Sequence, residues 1–169
     1  MGNELEQFTY REILSQSQSW EATLKTLPAL PPAVIQRMKR LNAERNQPGE
    51  ILFTGCGSTY YLALSAASFW RRITGLATLA LPAFELWLYP ETVYGENDAG
   101  ASAQRPHFLV AISRSGETTE TLRALELYHD RIGGESLVIT CYLESSLARA
   151  AKYTLVTKEA EEVSIAQTR

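Results

Sequence analysis

The chain has 169 residues, of which 45% are hydrophobic and 21% charged, with a formal net charge of −3 at pH 7. A chain of this length and composition buries a hydrophobic core, which excludes a disordered protein, and its acidic balance argues against a nucleic-acid-binding face. The apolar runs are too short to span a membrane, and two cysteines predict a reducing, cytoplasmic compartment rather than a disulfide scaffold.

The sequence pattern of residues 1–46 predicts helices and no strands. Apolar residues recur there at broken helical spacing, and Ser19 is a candidate N-cap. Pro32 fits the first turn of a helix that runs to about Arg45. A Pro-Gly turn follows, after which the composition changes. We therefore expect 1–46 to form an N-terminal helical arm and 47–169 to form the main domain.

From residue 50 onward, predicted strands alternate with predicted helices. The strands lie near 51–54, 77–81, 107–112, 136–140 and 153–156, and the helices near 58–73, 83–89, 116–131 and 145–151. A long polar loop is predicted over 90–105. This alternation indicates an α/β three-layer sandwich with a five-stranded parallel sheet. Right-handed crossovers favour the flavodoxin-like strand order 2-1-3-4-5, in which ligands bind between the first and third strands.

The first strand is followed by a glycine-rich turn, Gly55-Cys56-Gly57-Ser58-Thr59. It begins like a dinucleotide-binding fingerprint, but the bulky Tyr60 stands where that fingerprint requires its third glycine. The chain also lacks the Gly-Lys-Ser/Thr of a P-loop. Two interpretations stay open: a hydroxyl-bearing anion site, or a tight turn that simply needs glycine.

The third strand is followed by a second turn, Ser113-Arg114-Ser115-Gly116-Glu117-Thr118, which is richer in hydroxyl groups. Ser115 can cap the next helix, but a cap uses one hydroxyl and this turn supplies several beside an arginine. Such a turn at a helix N-terminus suits a phosphate dianion. Glu117 would repel that dianion unless its carboxylate points away or binds backbone N–H groups. The alternative is a turn and cap alone.

These turns and a third segment, Glu162-Val163-Ser164-Ile165-Ala166-Gln167-Thr168-Arg169, resemble the motifs of the SIS (sugar isomerase) domain family. The family pieces are a glycine-rich first loop, a Ser-x-Ser-Gly-Glu-Thr loop and a Glu-x-x-x-Ala-x-Thr-Lys/Arg helix start. The resemblance covers about residues 50–169. This part of the chain is similar to the first of two such domains in phosphosugar isomerases, which are related to the isomerase half of glucosamine-6-phosphate synthase.

The resemblance implies a phosphosugar-binding site, with neither cofactor nor metal. Phosphate would bind to Ser113, Ser115 and Thr118. The wider substrate-binding set adds Ser58, Thr59, Arg114 (where the synthase has Gln) and the backbone of Ile165. The expected partners are a small sugar phosphate and a second copy of the chain in a homodimer, with no nucleic acid and no membrane.

The acid–base groups that isomerisation needs are not assigned in this sequence. His107 and His129 are predicted at the end of the sheet opposite the crevice. Glu161 and Glu162 fall on the crevice side, where we expect them at a helix N-terminus. In two-domain members of the family, the catalytic Glu, His and Lys come from the second domain, the C-terminal tail or a neighbouring subunit.

The leading hypothesis is the N-terminal half of a ketose/aldose or amino-sugar phosphate isomerase. It is expected to lack the second domain and to stop before its last helix is complete. The isolated chain should then bind a sugar phosphate without turning it over, and should expose apolar surface and self-associate. The first alternative is a non-catalytic phosphosugar-sensing regulatory domain. The second is an assembly module whose loops are simply turns.

Overall fold

The computed structural model describes residues 2–43, 51–94 and 108–163. Its strands are β1 Ile51–Gly55, β2 Thr78–Pro82, β3 Phe108–Ile112, β4 Glu135–Thr140 and β5 Tyr153–Val156. Its α-helices are α1 Gly2–Leu14, α2 Gln16–Thr26, α3 Pro32–Ala43, α4 Ser58–Thr74, α5 Ala83–Leu88, α6 Pro90–Tyr94, α7 Thr119–Ile132 and α8 Ser146–Ala150. Short 3₁₀ turns occupy Leu27–Ala29 and Lys158–Ala160.

All five strands are parallel and lie in the order β2-β1-β3-β4-β5, which confirms the predicted topology. The register pairs Gly55 at the end of β1 with Ile112 at the end of β3. The two turns that follow these strands therefore start side by side at the carboxyl edge of the sheet. This edge is the crevice at which parallel α/β sheets bind their ligands.

The central strands are apolar because both of their faces are covered. Leu52 and Leu109 point into one core cluster with Leu125 and Tyr128 of α7. Phe53 and Val110, their chain neighbours, point into a second cluster on the other face, with α3 and α4. This alternation across a sheet that is buried on both sides explains why the strands consist of almost continuous apolar runs.

Helix α7 packs on the sheet through an apolar face, on which Leu125 and Tyr128 are fully buried. Gly133 ends the helix in the left-handed region at φ 65°. The predicted start at residue 116 is wrong, because α7 begins only at Thr119. Ser115 therefore does not cap this helix. Residues 113–118 remain a non-helical loop instead.

The N-terminal arm is helical in its described part, and Pro32 is the first residue of α3, as predicted. The N-cap assigned to Ser19 is wrong: α2 begins at Gln16, and Ser19 lies inside it, buried, with its hydroxyl donating to the Glu159 carbonyl. Helix α3 is joined to the sheet by Arg37, whose Nε donates to Glu135 Oε2 at 2.8 Å.

The loop predicted over 90–105 needs a correction at its start, because residues 90–94 form α6. Residues 95–105 lie outside the described part, as does the Pro-Gly turn after the arm. Among the helices that the structure describes, none is both long and apolar enough to cross a bilayer.

Candidate functional site

The two loops at the carboxyl edge, residues 55–59 (the first loop) and 113–118 (the second loop), form the candidate site. Burial raises the pKa of the Cys56 thiol, and the carboxylate of Glu120 raises it further. Glu120 lies in the first turn of α7, directly after the second loop. The start of α7 is therefore close enough to the first loop for the Glu120 charge to act on Cys56.

The first loop is closed by its own threonine. Thr59 Oγ1 accepts the Cys56 N–H at 3.0 Å and donates to the Cys56 carbonyl at 2.9 Å. A Cβ on Gly55 would lie 2.7 Å from Thr59 Oγ1, so the close approach requires glycine there. Ser58 is exposed in the first turn of α4. The loop therefore presents one constrained hydroxyl and one free to rotate in solvent.

The second loop is organised by its serines. Ser113 Oγ accepts the Gly116 N–H at 3.1 Å and lies 3.1 Å from Thr118 Oγ1. Ser115, exposed, accepts the Glu117 N–H at 3.2 Å. The hydroxyl oxygens thus occupy acceptor positions in front of backbone N–H groups, which is where an anion's oxygens would bind.

The second loop is anchored on the neighbouring strand β4. The Ser113 N–H donates to the Ile139 carbonyl at 3.0 Å. The Arg114 carbonyl accepts from the Cys141 N–H at 3.0 Å and from Thr140 Oγ1 at 3.1 Å. These bonds are independent of the N-terminal arm. They fix the loop backbone to the sheet.

The Glu117 carboxylate is bound outside the second loop. Its Oε1 accepts the Ser146 N–H at 2.8 Å, at the start of α8. Hydrogen bonds from Ser146 lower the pKa of Glu117, so the carboxylate stays charged. Its charge is held against the N-terminus of α8, which resolves the conflict anticipated from the sequence.

A hollow of about 130 Å³ lies beside the loops, between α4 and the segment that follows β5. Its polar wall consists of Thr59, Arg114, Thr140, Cys141, Thr157 and Glu162. Leu62, Ile112 and Ile139 contribute apolar surface. The structure therefore brings Thr59 of the first loop and Arg114 of the second loop to one cavity.

The other predicted substrate-binding residues lie elsewhere. Ser113, Ser115 and Thr118 belong to the second loop and do not line the hollow. Ser58 is exposed at the first position of α4 and does not line it either. Ile165 lies outside the described residues. Sequence reasoning therefore identified two loops, of which each contributes one side chain to the cavity wall.

Sequence reasoning missed the partner of Arg114. The Arg114 Nη1 lies 2.8 Å from Glu162 Oε2, and the Glu162 side chain is only 1% exposed, against 28% for Arg114. The sequence suggested a helix N-terminus for Glu162, and the residues that would form that helix lie outside the described part. The structure shows Glu162 in an ion pair with Arg114 in the wall of the hollow. The one sequence signal is charge: the acidic pair Glu161-Glu162 follows the last strand, at the same edge of the sheet as Arg114.

His129 lies at the opposite edge of the sheet, as its position in α7 predicts. Its Nε2 is 2.9 Å from Ser136 Oγ at the beginning of β4, and burial lowers the pKa of the imidazole. His107 lies outside the described residues. Across residues 2–43, 51–94 and 108–163, no three His, Cys, Asp or Glu side chains are grouped so that they could hold a metal.

Comparison with known proteins gives a family match. A family model described as "SIS domain" matches residues 45–169. The isomerizing glutamine–fructose-6-phosphate aminotransferase of Pyrobaculum aerophilum is 28% identical over 163 residues, which is 96% of this chain but 24% of the relative. Its counterpart from Methanothermobacter thermautotrophicus is 31% identical over 119 residues, covering 70% of this chain and 18% of the relative.

Solved structures have the same fold. The crystal structure of tagatose-6-phosphate ketose/aldose isomerase from Escherichia coli superimposes with a TM-score of 0.75 at 26% identity. The match covers 90% of this chain and 41% of that one. The 169 residues thus span about a quarter or less of these two curated relatives and about two fifths of this structural neighbour.

Proposed function

The chain belongs to the SIS domain family, and on that premise we propose that it binds a sugar phosphate at the crevice between its first and second loops. One observation carries the proposal: two hydroxyl-rich loops start side by side at the carboxyl edge, and each contributes a side chain to one hollow. The names of the relatives, which include fructose-6-phosphate and tagatose-6-phosphate, indicate the substrate class.

The phosphate is proposed to occupy the second loop. Ser113 and Ser115 now accept N–H groups of the loop through their hydroxyl oxygens. A phosphate oxygen can replace each hydroxyl as acceptor, which releases the hydroxyl to donate to the phosphate. Thr118 supplies a third hydroxyl at the N-terminus of α7, where the helix dipole favours negative charge.

The sugar is proposed to extend from the second loop into the hollow. The Arg114–Glu162 pair provides donors and an acceptor for sugar hydroxyl groups. Thr59 also lines the hollow, and its Oγ1 keeps one lone pair that can accept from a sugar hydroxyl. The hollow, at about 130 Å³, is smaller than the roughly 300–1,000 Å³ of pockets for drug-sized ligands, so it suits a short polyol chain.

The isolated chain is proposed to bind this ligand without isomerising it. Isomerisation needs a base that moves a proton between neighbouring carbons. Among the described residues, His129 lies at the far edge of the sheet, and the Glu162 carboxylate at the hollow is held in an ion pair with Arg114. We propose that the arm (1–46) and the binding domain (47–169) correspond to the first half of a phosphosugar isomerase. The catalytic acid and base would then come from outside these residues.

A homodimer is proposed as the assembly state. Helix α4 exposes Leu62, Phe69 and Ile73, which follow one helical face. An exposed apolar stripe of this kind supports association. Sedimentation velocity should give a dimer, and a monomer at every protein concentration would contradict the proposal.

Binding is tested by calorimetric titration of the 169-residue chain with fructose 6-phosphate and with unphosphorylated fructose. We expect binding of the phosphorylated sugar only. Ser113→Ala/Ser115→Ala should weaken it at least about tenfold, because hydrogen bonds to a charged group are lost. Ser65→Ala/Ser68→Ala, on the exposed side of α4, is the matched control. Unchanged affinity in the loop variant would contradict the assigned phosphate position.

A further inference from the structure

The N-terminal arm reaches the rim of the hollow through two buried polar side chains. Glu12 of α1 is 4% exposed, and its Oε1 accepts the Val163 N–H at 2.7 Å. Ser19 of α2 is 7% exposed, and its hydroxyl donates to the Glu159 carbonyl. Both arm residues therefore bind the backbone of the segment 158–163, which follows β5.

The contact is polar where helix docking is usually apolar. On the same two helices, Leu14, Trp20 and Leu24 are each more than half exposed. Amphipathic helices that dock by hydrophobic burial turn such residues inward. Here buried hydrogen bonds join the arm to the segment, and such bonds require a defined geometry because an unpaired buried polar group is costly.

The segment held by the arm carries the buried carboxylate of the site. Glu162 lies between the two bonded positions, Glu159 and Val163, and its side chain pairs with Arg114 in the wall of the hollow. The arm thus restrains the backbone on both sides of Glu162. On the domain side, the segment is held by the Thr157 N–H, which donates to the Thr140 carbonyl at 2.8 Å.

We propose that Glu12 and Ser19 are positioning residues of the sugar-phosphate site. They fix the segment 158–163 so that Glu162 orients Arg114 toward the sugar. This inference rests on the proposed function. The second loop is anchored on β4 without the arm, so the loss of the arm contacts should weaken recognition of the sugar and leave phosphate recognition intact.

The test compares two ligands, fructose 6-phosphate and inorganic phosphate, titrated against the full 169-residue chain. In Glu12→Ala and in Ser19→Ala, we expect affinity for fructose 6-phosphate to fall about tenfold, since each variant removes a buried hydrogen bond. Affinity for inorganic phosphate should stay at the wild-type value. Glu12→Gln keeps an acceptor oxygen and should restore fructose 6-phosphate binding.

Control substitutions on the same arm distinguish the loss of a specific buried hydrogen bond from a general loss of helix stability. Ser17→Ala and Glu21→Gln alter the same residue types on exposed positions of α2 and should leave both affinities unchanged. If Glu12→Ala does not fold, Ser19→Ala tests the same step, because it removes a single hydroxyl inside a helix.

Three results would overturn the inference, and they are distinguishable. If the wild-type chain binds fructose 6-phosphate and both arm variants bind it with the same affinity, the positioning role is refuted and the proposed function is not. If the arm variants lose affinity for both ligands to the same extent, the arm stabilises the fold and has no positioning role at the sugar. A wild-type chain that binds neither ligand refutes the proposed function, and the positioning role with it.

Discussion

The two edges of the sheet use polar side chains in opposite ways. At the amino edge, Glu135 accepts from Arg37 Nε at 2.8 Å and from the Tyr153 hydroxyl at 3.1 Å. Ser136 binds His129 at 2.9 Å and accepts the Lys152 N–H at 3.2 Å. Each of these bonds joins separate elements, and they tie α3, α7 and β5 to β4.

At the carboxyl edge, many polar groups bind within their own loop. The hydroxyl oxygen of Thr59 accepts the Cys56 N–H, that of Ser113 accepts the Gly116 N–H, and that of Ser115 accepts the Glu117 N–H. Local bonds of this kind can be exchanged for a ligand without separating secondary-structure elements. The comparison teaches that the amino-edge bonds serve to join elements, whereas the carboxyl edge also has bonds confined to single loops, which the proposed anion site requires.

Two glycines with similar backbone angles provide the strongest test of this contrast. Gly116 (φ +67°) lies in the second loop, and a Cβ there would be 2.1 Å from Ser145 Oγ. Gly133 (φ +65°) ends α7 near the amino edge, with nothing within 4 Å of its Cβ position. Gly116→Ala should cost about 3 kcal/mol of unfolding free energy, from overpacking added to strain.

Gly133→Ala should cost only about 1 kcal/mol, from backbone strain alone. Urea unfolding measures both values, and phosphate titration should show a loss for Gly116→Ala only. Equal losses of stability in the two variants would contradict the close packing of the second loop against α8.

At the amino edge, a serine substitution should lower the stability of the fold without changing ligand affinity. Ser136→Ala removes the hydroxyl that His129 and the Lys152 N–H share, at a fully buried position. We expect a loss of about 1–2 kcal/mol of stability and an unchanged affinity for fructose 6-phosphate. Weaker ligand binding at full folding would show that the two edges are not independent.

The smallest expected effect is a pH dependence from His129. Burial lowers the pKa of its imidazole below the ordinary value of about 6.5, and Asp130 partly opposes this shift. The unfolded chain therefore binds the proton more readily, so stability falls as the pH drops through about 6.5. His129→Gln should flatten this part of a stability–pH curve. An unaltered curve would contradict the assigned cause.

The sheet can be predicted from the sequence, because buried parallel strands are short apolar runs between turn residues. The strand order also follows, since right-handed crossovers restrict the topology. Ser19 shows where local patterns fail: a hydroxyl before an aromatic residue has the local pattern of an N-cap, but its partner Glu159 lies 140 residues away.

The candidate site shows the same limit. The second loop is recognisable from adjacent residues, whereas the Arg114–Glu162 pair joins residues 48 positions apart and depends on the path of the chain after β5. The start of α7 at Thr119 also depends on tertiary contacts, because Gly116 packs against Ser145 in a left-handed conformation.

The most direct test of the central claim is a crystal structure of the chain with fructose 6-phosphate bound. We predict the phosphate within hydrogen-bond distance of Ser113, Ser115 and Thr118, with the sugar extending toward Arg114 and Glu162. A sugar phosphate bound away from these loops, or an unchanged second loop at saturating ligand, would contradict the account.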